Sequence, residues 1–169
     1  IEKAKRIRWF GIDRKQKQLG IWGNDIKEIG YKYQLTDLGA SVGYQSLIDF
    51  KKIISHRIKI YNIYLNNLSK NPNITCVHDF DPKKKYAAWL FTILTEKKDY
   101  LQKKLREKNI ETNQVHFRND KYTIFKKFVK RQVFKNMDII EDKYLVLPIH
   151  TKVSEKDANY ICKLINSYI

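Results

Sequence analysis

The chain has 169 residues, 43% of them hydrophobic, and its 34 Lys and Arg against 18 Asp and Glu give a formal charge of +16. That length suffices for one packed domain burying roughly 70% of its extended surface. No apolar stretch approaches the roughly 18–20 residues that would cross a bilayer, and residues 1–10 are too basic and mixed for a secretory leader, so a soluble, cytoplasmic protein is expected.

Cys76 and Cys162 are too few for a disulfide framework and lack partners at metal-ligand spacing, so they read as free thiols in a reducing compartment. The lysines are scattered (Lys15 to Lys17, Lys51 and Lys52, Lys83 to Lys85, Lys103 and Lys104, Lys126 to Lys130) rather than gathered into one stripe. A solvated basic surface explains them, and their field would also favour an anionic partner, either nucleic acid or a phosphorylated small ligand.

In chain order, the first residue is Ile1, with no capping residue ahead of it, and the chain is expected to be the later piece of a longer protein. Residues 9–33 show little periodicity and hold Gly11, Gly20, Gly23 and Gly30, so irregular backbone with turns is predicted there. Thr36 is placed to cap a helix over about residues 37–47, with Asp37 in its first turn. Gly39, Ala40, Ser41 and Gly43 leave that helix nearly bare, which suits close packing against another backbone.

From Phe50, the positions Phe50, Ile53, Ile54, Tyr61, Tyr64, Leu65 and Leu68 recur at helical spacing, and Asn71, Pro72 and Asn73 end this second helix. A short strand is predicted at residues 74–77, then a charged turn at 79–85. The apolar run 88–95, rich in β-branched residues, reads as a buried strand. Tyr100, Leu101 and Leu105 mark a helix closed by Asn109, followed by an extended segment over 110–117. Residues 136–143 read as one or two helical turns and 144–147 as a strand stopped by Pro148. Ser154 with Asp157 forms a capping box, opening a last amphipathic helix with Ile161, Leu164, Ile165 and Tyr168 on its inner face. The sum is an α+β domain, a small sheet with helices on one side.

No phosphate-binding glycine loop, His-Glu-x-x-His, Gly-x-Ser-x-Gly or Cys-x-x-Cys occurs, so no catalytic residue is assigned and no metal site is expected. His56, His78, His116 and His150 lie far apart. His116 and His150 each fall at the end of an expected strand, where a polar group can face a cleft; a structural hydrogen bond is the alternative for both.

Four stretches then line up. They are Arg8-Trp9-Phe10-Gly11-Ile12-Asp13-Arg14, Gly30-Tyr31-Lys32-Tyr33-Gln34-Leu35-Thr36-Asp37, Gln114-Val115-His116-Phe117-Arg118-Asn119-Asp120 and Leu147-Pro148-Ile149-His150. In order and spacing they resemble landmarks of the DegT family of sugar-nucleotide aminotransferases. Within it, they are similar to perosamine-synthase-like enzymes, which aminate a nucleotide-linked 4-keto-6-deoxyhexose.

The resemblance implies the C-terminal part of an aspartate-aminotransferase-type protein of pyridoxal phosphate (PLP) fold type I, with a small sheet, packed helices and a long linking helix. It divides the chain into 1–48, the end of the large-domain region with an inter-subunit loop, and 49–169, a small α+β domain. It also implies a homodimer acting on a nucleotide-diphosphate sugar, with glutamate as donor, in a surface-polysaccharide pathway. The cofactor lysine, the ring-stacking aromatic and the carboxylate under the pyridine nitrogen would lie upstream, so this chain alone is expected to be inactive.

Carried over residue by residue, Lys32 or Gln34 would reach the cofactor phosphate of the neighbouring subunit, the alternative being a solvent-facing turn. Members of the family carry Asn at the first position or Asn, Arg or His at the second, so the sequence departs there. Trp89, His116, Arg118, Asn119 and Tyr122 would approach the sugar nucleotide, with an Arg fork suited to a diphosphate and core packing the alternative for Trp89. Trp9, Gly11 and Arg14 would shape a domain junction. Two other functions stay open: a sugar dehydratase of the same family, in which histidine replaces the cofactor lysine, and a non-catalytic basic module, binding nucleic acid through residues 121–134 or purely structural.

Overall fold

A computed structural model of the chain describes residues 1–23, 25–78, 83–129 and 133–169. Part of the expected turn at 79–85, and residues 130–132 of the basic run, therefore lie outside the described residues. The chain divides into two compact units, Ile1–Asp49 and Phe50–Ile169.

The first unit is built on backbone hydrogen bonds. Helix α1 (Glu2–Ile7) leads into a turn, and α2 (Arg14–Gln18) follows. This second short helix went unpredicted because it has no apolar stripe; its cap is the Asp13 carboxylate, which accepts from the Lys15 amide at 3.0 Å. Residues 30–33 dock on the turn: Tyr31 N donates to Ile7 O (2.7 Å), Phe10 N to Tyr31 O (3.1 Å) and Tyr33 N to Arg8 O (3.0 Å). Two glycines permit the approach. Gly11 has φ +78°, and a Cβ on Gly30 would stand 1.9 Å from the Gly11 nitrogen. The first two landmark stretches are thus the two halves of one clasp.

The two helices expected over 37–47 and from Phe50 are a single 32-residue helix, α3 (Asp37–Leu68). The apolar pattern changes near Asp49, but nothing there breaks a helix, and propagation is cheap once a helix is nucleated. Thr36 caps it as expected, its hydroxyl accepting from Gly39 N at 3.2 Å. Among the described residues nothing lies within 4 Å of a Cβ placed on Gly43.

The second unit carries a three-stranded antiparallel sheet in the order β1 (Thr75–Cys76), β2 (Phe91–Leu94), β3 (Tyr144–Leu147), with Phe91 opposite Leu147 and Thr75 opposite Leu94. The run 88–95 yields only four strand residues, because Ala88 turns to φ +47°. Helix α4 (Lys98–Arg106) closes through Asn109 at φ +59°, with Ile110 N donating to Leu105 O at 3.0 Å. The expected strand at 110–117 is reduced to one bridge, Asn113 to Val146. Two single 3-10 turns (Asn119–Lys121 and Thr123–Phe125), α5 (Lys126–Val129) and α6 (Lys135–Ile140) precede β3. Helix α7 (Glu155–Tyr168) begins with the predicted box, both Ser154 and Asp157 contributing.

The core gathers Ile60, Tyr64 and Leu68 of α3, Phe91 and Ile93 of β2, Leu101 and Leu105 of α4, and Ile161, Cys162 and Ile165 of α7. Along β2, Phe91 and Ile93 are buried while Thr92 and Leu94 are half-covered, the alternation of a sheet with one well-packed face. Tyr64 donates to Pro148 O at 2.8 Å, tying α3 to the end of β3. Burial pushes the Cys162 thiol up to about 12, so it behaves as a packed apolar group.

Candidate functional site

In the first unit the clasp fixes Lys32 and Gln34. Lys32 pairs with Trp9 through a backbone bridge and is exposed. Gln34 Oε1 accepts from the Arg14 guanidinium at 3.0 Å, and the same guanidinium lies 5.4 Å from the Trp9 ring centroid. Because Arg14 can only donate, the contact fixes the amide orientation and leaves the Gln34 NH2 free to donate elsewhere. Arg14, expected only to shape a junction, is therefore what orients Gln34. Tyr31 and Tyr33 stack beside them at 5.1 Å.

In the second unit, Trp89 and His116 come together across 27 residues of sequence, edge to face with centroids 5.7 Å apart. Trp89 is 59% exposed and lies outside the hydrophobic core of this unit. His116 sits in a bend, not at a strand end, because the segment after Asn113 leaves the sheet. Asn119 is exposed, and Tyr122 packs on Phe117 at 5.4 Å. A cavity of about 520 Å³ opens beside this loop, lined by His116, Phe117, Arg118, Asn119, Phe125 and Phe128 among others.

Arg118 is oriented differently from its neighbours. Its side chain is 6% exposed and is held by Asp120 in a two-point contact (3.0 and 2.6 Å), by Asp138 and by Glu141 (3.2 Å). Lys121 joins Glu141 at 2.5 Å. Hydrogen bonding to Asp120, and next to Asp138, raises the guanidinium above its ordinary value, so it stays charged. The Asp120 carboxyl is lowered chiefly by its bond to Arg118, and that of Glu141 chiefly by its bond to Lys121. A fork satisfied by three carboxylates has little left for a ligand phosphate; what it does is anchor the 116–122 loop onto α6.

Of the other histidines, His56 Nε2 donates to Val153 O at 2.9 Å, and His78 Nδ1 meets the Tyr61 hydroxyl at 2.9 Å. The residue that sequence reasoning missed is Arg57. Its Nε is buried with no hydrogen-bond partner among the described residues, and Arg57 lines a cavity of about 290 Å³ with Trp89, Glu111, Asn113 and His150. Its position was a usable signal: Arg57 stands three and four residues from Ile53, Ile54, Ile60 and Tyr61, on the apolar stripe of α3.

A small antiparallel sheet packed by a long helix and two shorter ones, with a polar and aromatic loop beside it, is the C-terminal part of the PLP sugar-aminotransferase fold. The DegT/DnrJ/EryC1/StrS aminotransferase family matches residues 1–166, and the chain belongs to that family. Aminotransferases of this family depend on PLP. The chain is 29% identical over 166 residues to UDP-4-amino-4,6-dideoxy-N-acetyl-beta-L-altrosamine transaminase of Campylobacter jejuni, covering 95% of this chain and 43% of that protein. It is 27% identical over 146 residues to GDP-perosamine synthase of Escherichia coli O157:H7, covering 83% and 38%. A solved sugar aminotransferase from Micromonospora echinospora superposes with a TM-score of 0.88 at 20% identity, covering 98% of this chain and 44% of that one. The chain thus spans about two-fifths of the length of the curated relatives it matches. Among the described residues no helix is long and apolar enough to cross a membrane, and no cluster of His, Cys, Asp and Glu could hold a metal.

Proposed function

We propose that the chain is the C-terminal part of a PLP-dependent aminotransferase that converts a nucleotide-linked 4-keto-6-deoxy sugar into the 4-amino sugar, with glutamate as donor and a homodimer as the working unit. The observation that carries this reading is the Gly11–Gly30 clasp. It gives two of the family-like stretches one structural purpose, the presentation of Lys32 and an oriented Gln34 amide. The substrate class follows from the relatives' names and from the Trp89–His116 wall.

The residues present fit a PLP phosphate. Gln34 offers two amide protons and Lys32 a charged ammonium on an exposed rim, the donor set a phosphate requires. When bound, the cofactor carries the amino group between donor and sugar ketone. Gln34 and Lys32 hold and orient its phosphate; Trp89 covers an apolar sugar or base face; His116 and Asn119 supply hydrogen bonds to ligand hydroxyls. Arg118, held by its three carboxylates, keeps those loop residues in place. The division into a large-domain end and a small α+β domain belongs to the same reading, as does a cytoplasmic setting.

The test joins the chain in frame to the N-terminal part of the Campylobacter jejuni relative and supplies UDP- and GDP-linked 4-keto-6-deoxyhexoses with glutamate. A 4-amino sugar and stoichiometric 2-oxoglutarate by mass spectrometry are expected. No amino sugar and no 2-oxoglutarate from any of these substrates would count against the reading.

A further inference from the structure

The guanidinium of Arg57 on α3, which lines a cavity without an acidic partner among the described residues, points to a second binding site. Buried polar atoms are almost always hydrogen-bonded, and among the buried side-chain nitrogens and oxygens of the described residues only Arg57 Nε and Thr112 Oγ1 are not. No carboxylate among the described residues pairs with Arg57, whereas Arg118 has three. The Arg57 cavity, about 290 Å³, is bounded by the exposed indole of Trp89, by Pro148 and by His150. His150 Nδ1 accepts from Lys152 N at 3.2 Å, which places the ring proton on Nε2. Glu111 is the one acidic group on this wall; it is exposed and makes no ion pair with Arg57.

We propose that Arg57, with Trp89 and His150, forms an oxyanion site that takes a phosphate or carboxylate group of a small polar ligand. A guanidinium is a planar fork of donors matched to two oxygens of such a group, and Arg57, only half-buried, lines the cavity without a carboxylate partner among the described residues. The cavity is too small for a whole nucleotide sugar, so it receives one charged end. If the proposed amino transfer holds, that end belongs to the sugar's diphosphate or to the donor's acid. The site itself rests only on the chain's own geometry.

The experiment leaves Trp89 as the sole indole by Trp9→Phe and Trp22→Phe, then titrates the full chain at constant ionic strength with inorganic pyrophosphate and, separately, glutarate. A saturable change in Trp89 emission is expected. Arg57→Gln should weaken it at least about tenfold, the scale of one charge-assisted hydrogen bond. Arg57→Lys, which keeps the charge but not the fork, should fall between, and serves alone if the Gln variant does not fold. Lys103→Gln, on the exposed face of α4, should change nothing, and Glu111→Gln should tighten binding. A response to pyrophosphate alone assigns a phosphate, to glutarate alone a carboxylate, and to both the shared chemistry. No saturable response to either, or equal affinities in the Arg57→Gln and Lys103→Gln variants, overturns the site.

Discussion

Among the described residues of Ile1–Asp49, only the side-chainless Gly11 is buried, whereas Phe50–Ile169 holds the whole hydrophobic cluster. The second unit is specified by what it removes from water. The first is specified by backbone geometry: two glycines, a docked segment and a capped turn. Leu38, Val42, Tyr44 and Leu47 stay exposed along the early turns of α3, while the later turns of the same helix supply Ile60, Tyr64 and Leu68 to the core. One element thus serves two kinds of stability.

The largest effect that would break this contrast is on unfolding. Ile60→Ala or Leu105→Ala, both fully buried, should cost about 2–5 kcal/mol in urea denaturation. Leu38→Ala, 78% exposed, should cost less than about 0.5 kcal/mol. Comparable losses at the two kinds of site would erase the distinction. Next comes Gly30→Ala, whose methyl cannot coexist with the Gly11 backbone. Limited proteolysis should then cut within residues 8–33 faster than in the parent, with the urea transition of the second unit unchanged.

A smaller, pH-dependent effect belongs to the Arg118 anchor. The Asp120 and Glu141 carboxyls are held below their ordinary values, so their contribution is complete above about pH 4–5, the unfolded carboxylate range, and is lost as acid drives pH down through the lowered values. Protection of the 116–122 backbone amides from hydrogen exchange, corrected for intrinsic exchange rates, should be steady from pH 8 to about 5 and fall below that. Arg118→Gln should remove the acid step and leave the loop loosened at neutral pH. Smallest is Ser154→Ala at the start of α7, expected to cost about 1 kcal/mol of the second unit's stability.

The same contrast explains what could be read from sequence. The core of the second unit was visible because Tyr61, Tyr64 and Leu68, and later Ile161 and Ile165, recur at the period of the helices that bury them. Strand β3 and the Ser154–Asp157 box followed from local chemistry alone. The continuity of α3 was not visible, because its exposed first half has no apolar stripe to follow. Helix α2 escaped for the same reason. In the loop, the family-like stretch singled out residues 116–120, but which way each side chain turns depends on Asp138 and Glu141, some 20 residues further on. Arg118 turns toward them and His116 turns toward Trp89; neither choice is written in the six residues around them. Arg57 was legible in principle, as a cation on an apolar stripe without a nearby acid.

The most direct test of the functional account follows bound PLP by absorbance in the joined protein described above. The wild type should bind the cofactor, lose its absorbance on adding glutamate and regain it on adding a nucleotide-linked 4-keto-6-deoxy sugar, and Gln34→Leu should bind PLP more weakly. A protein that retains PLP through both additions unchanged, with equal affinity in the Gln34→Leu variant, would contradict it.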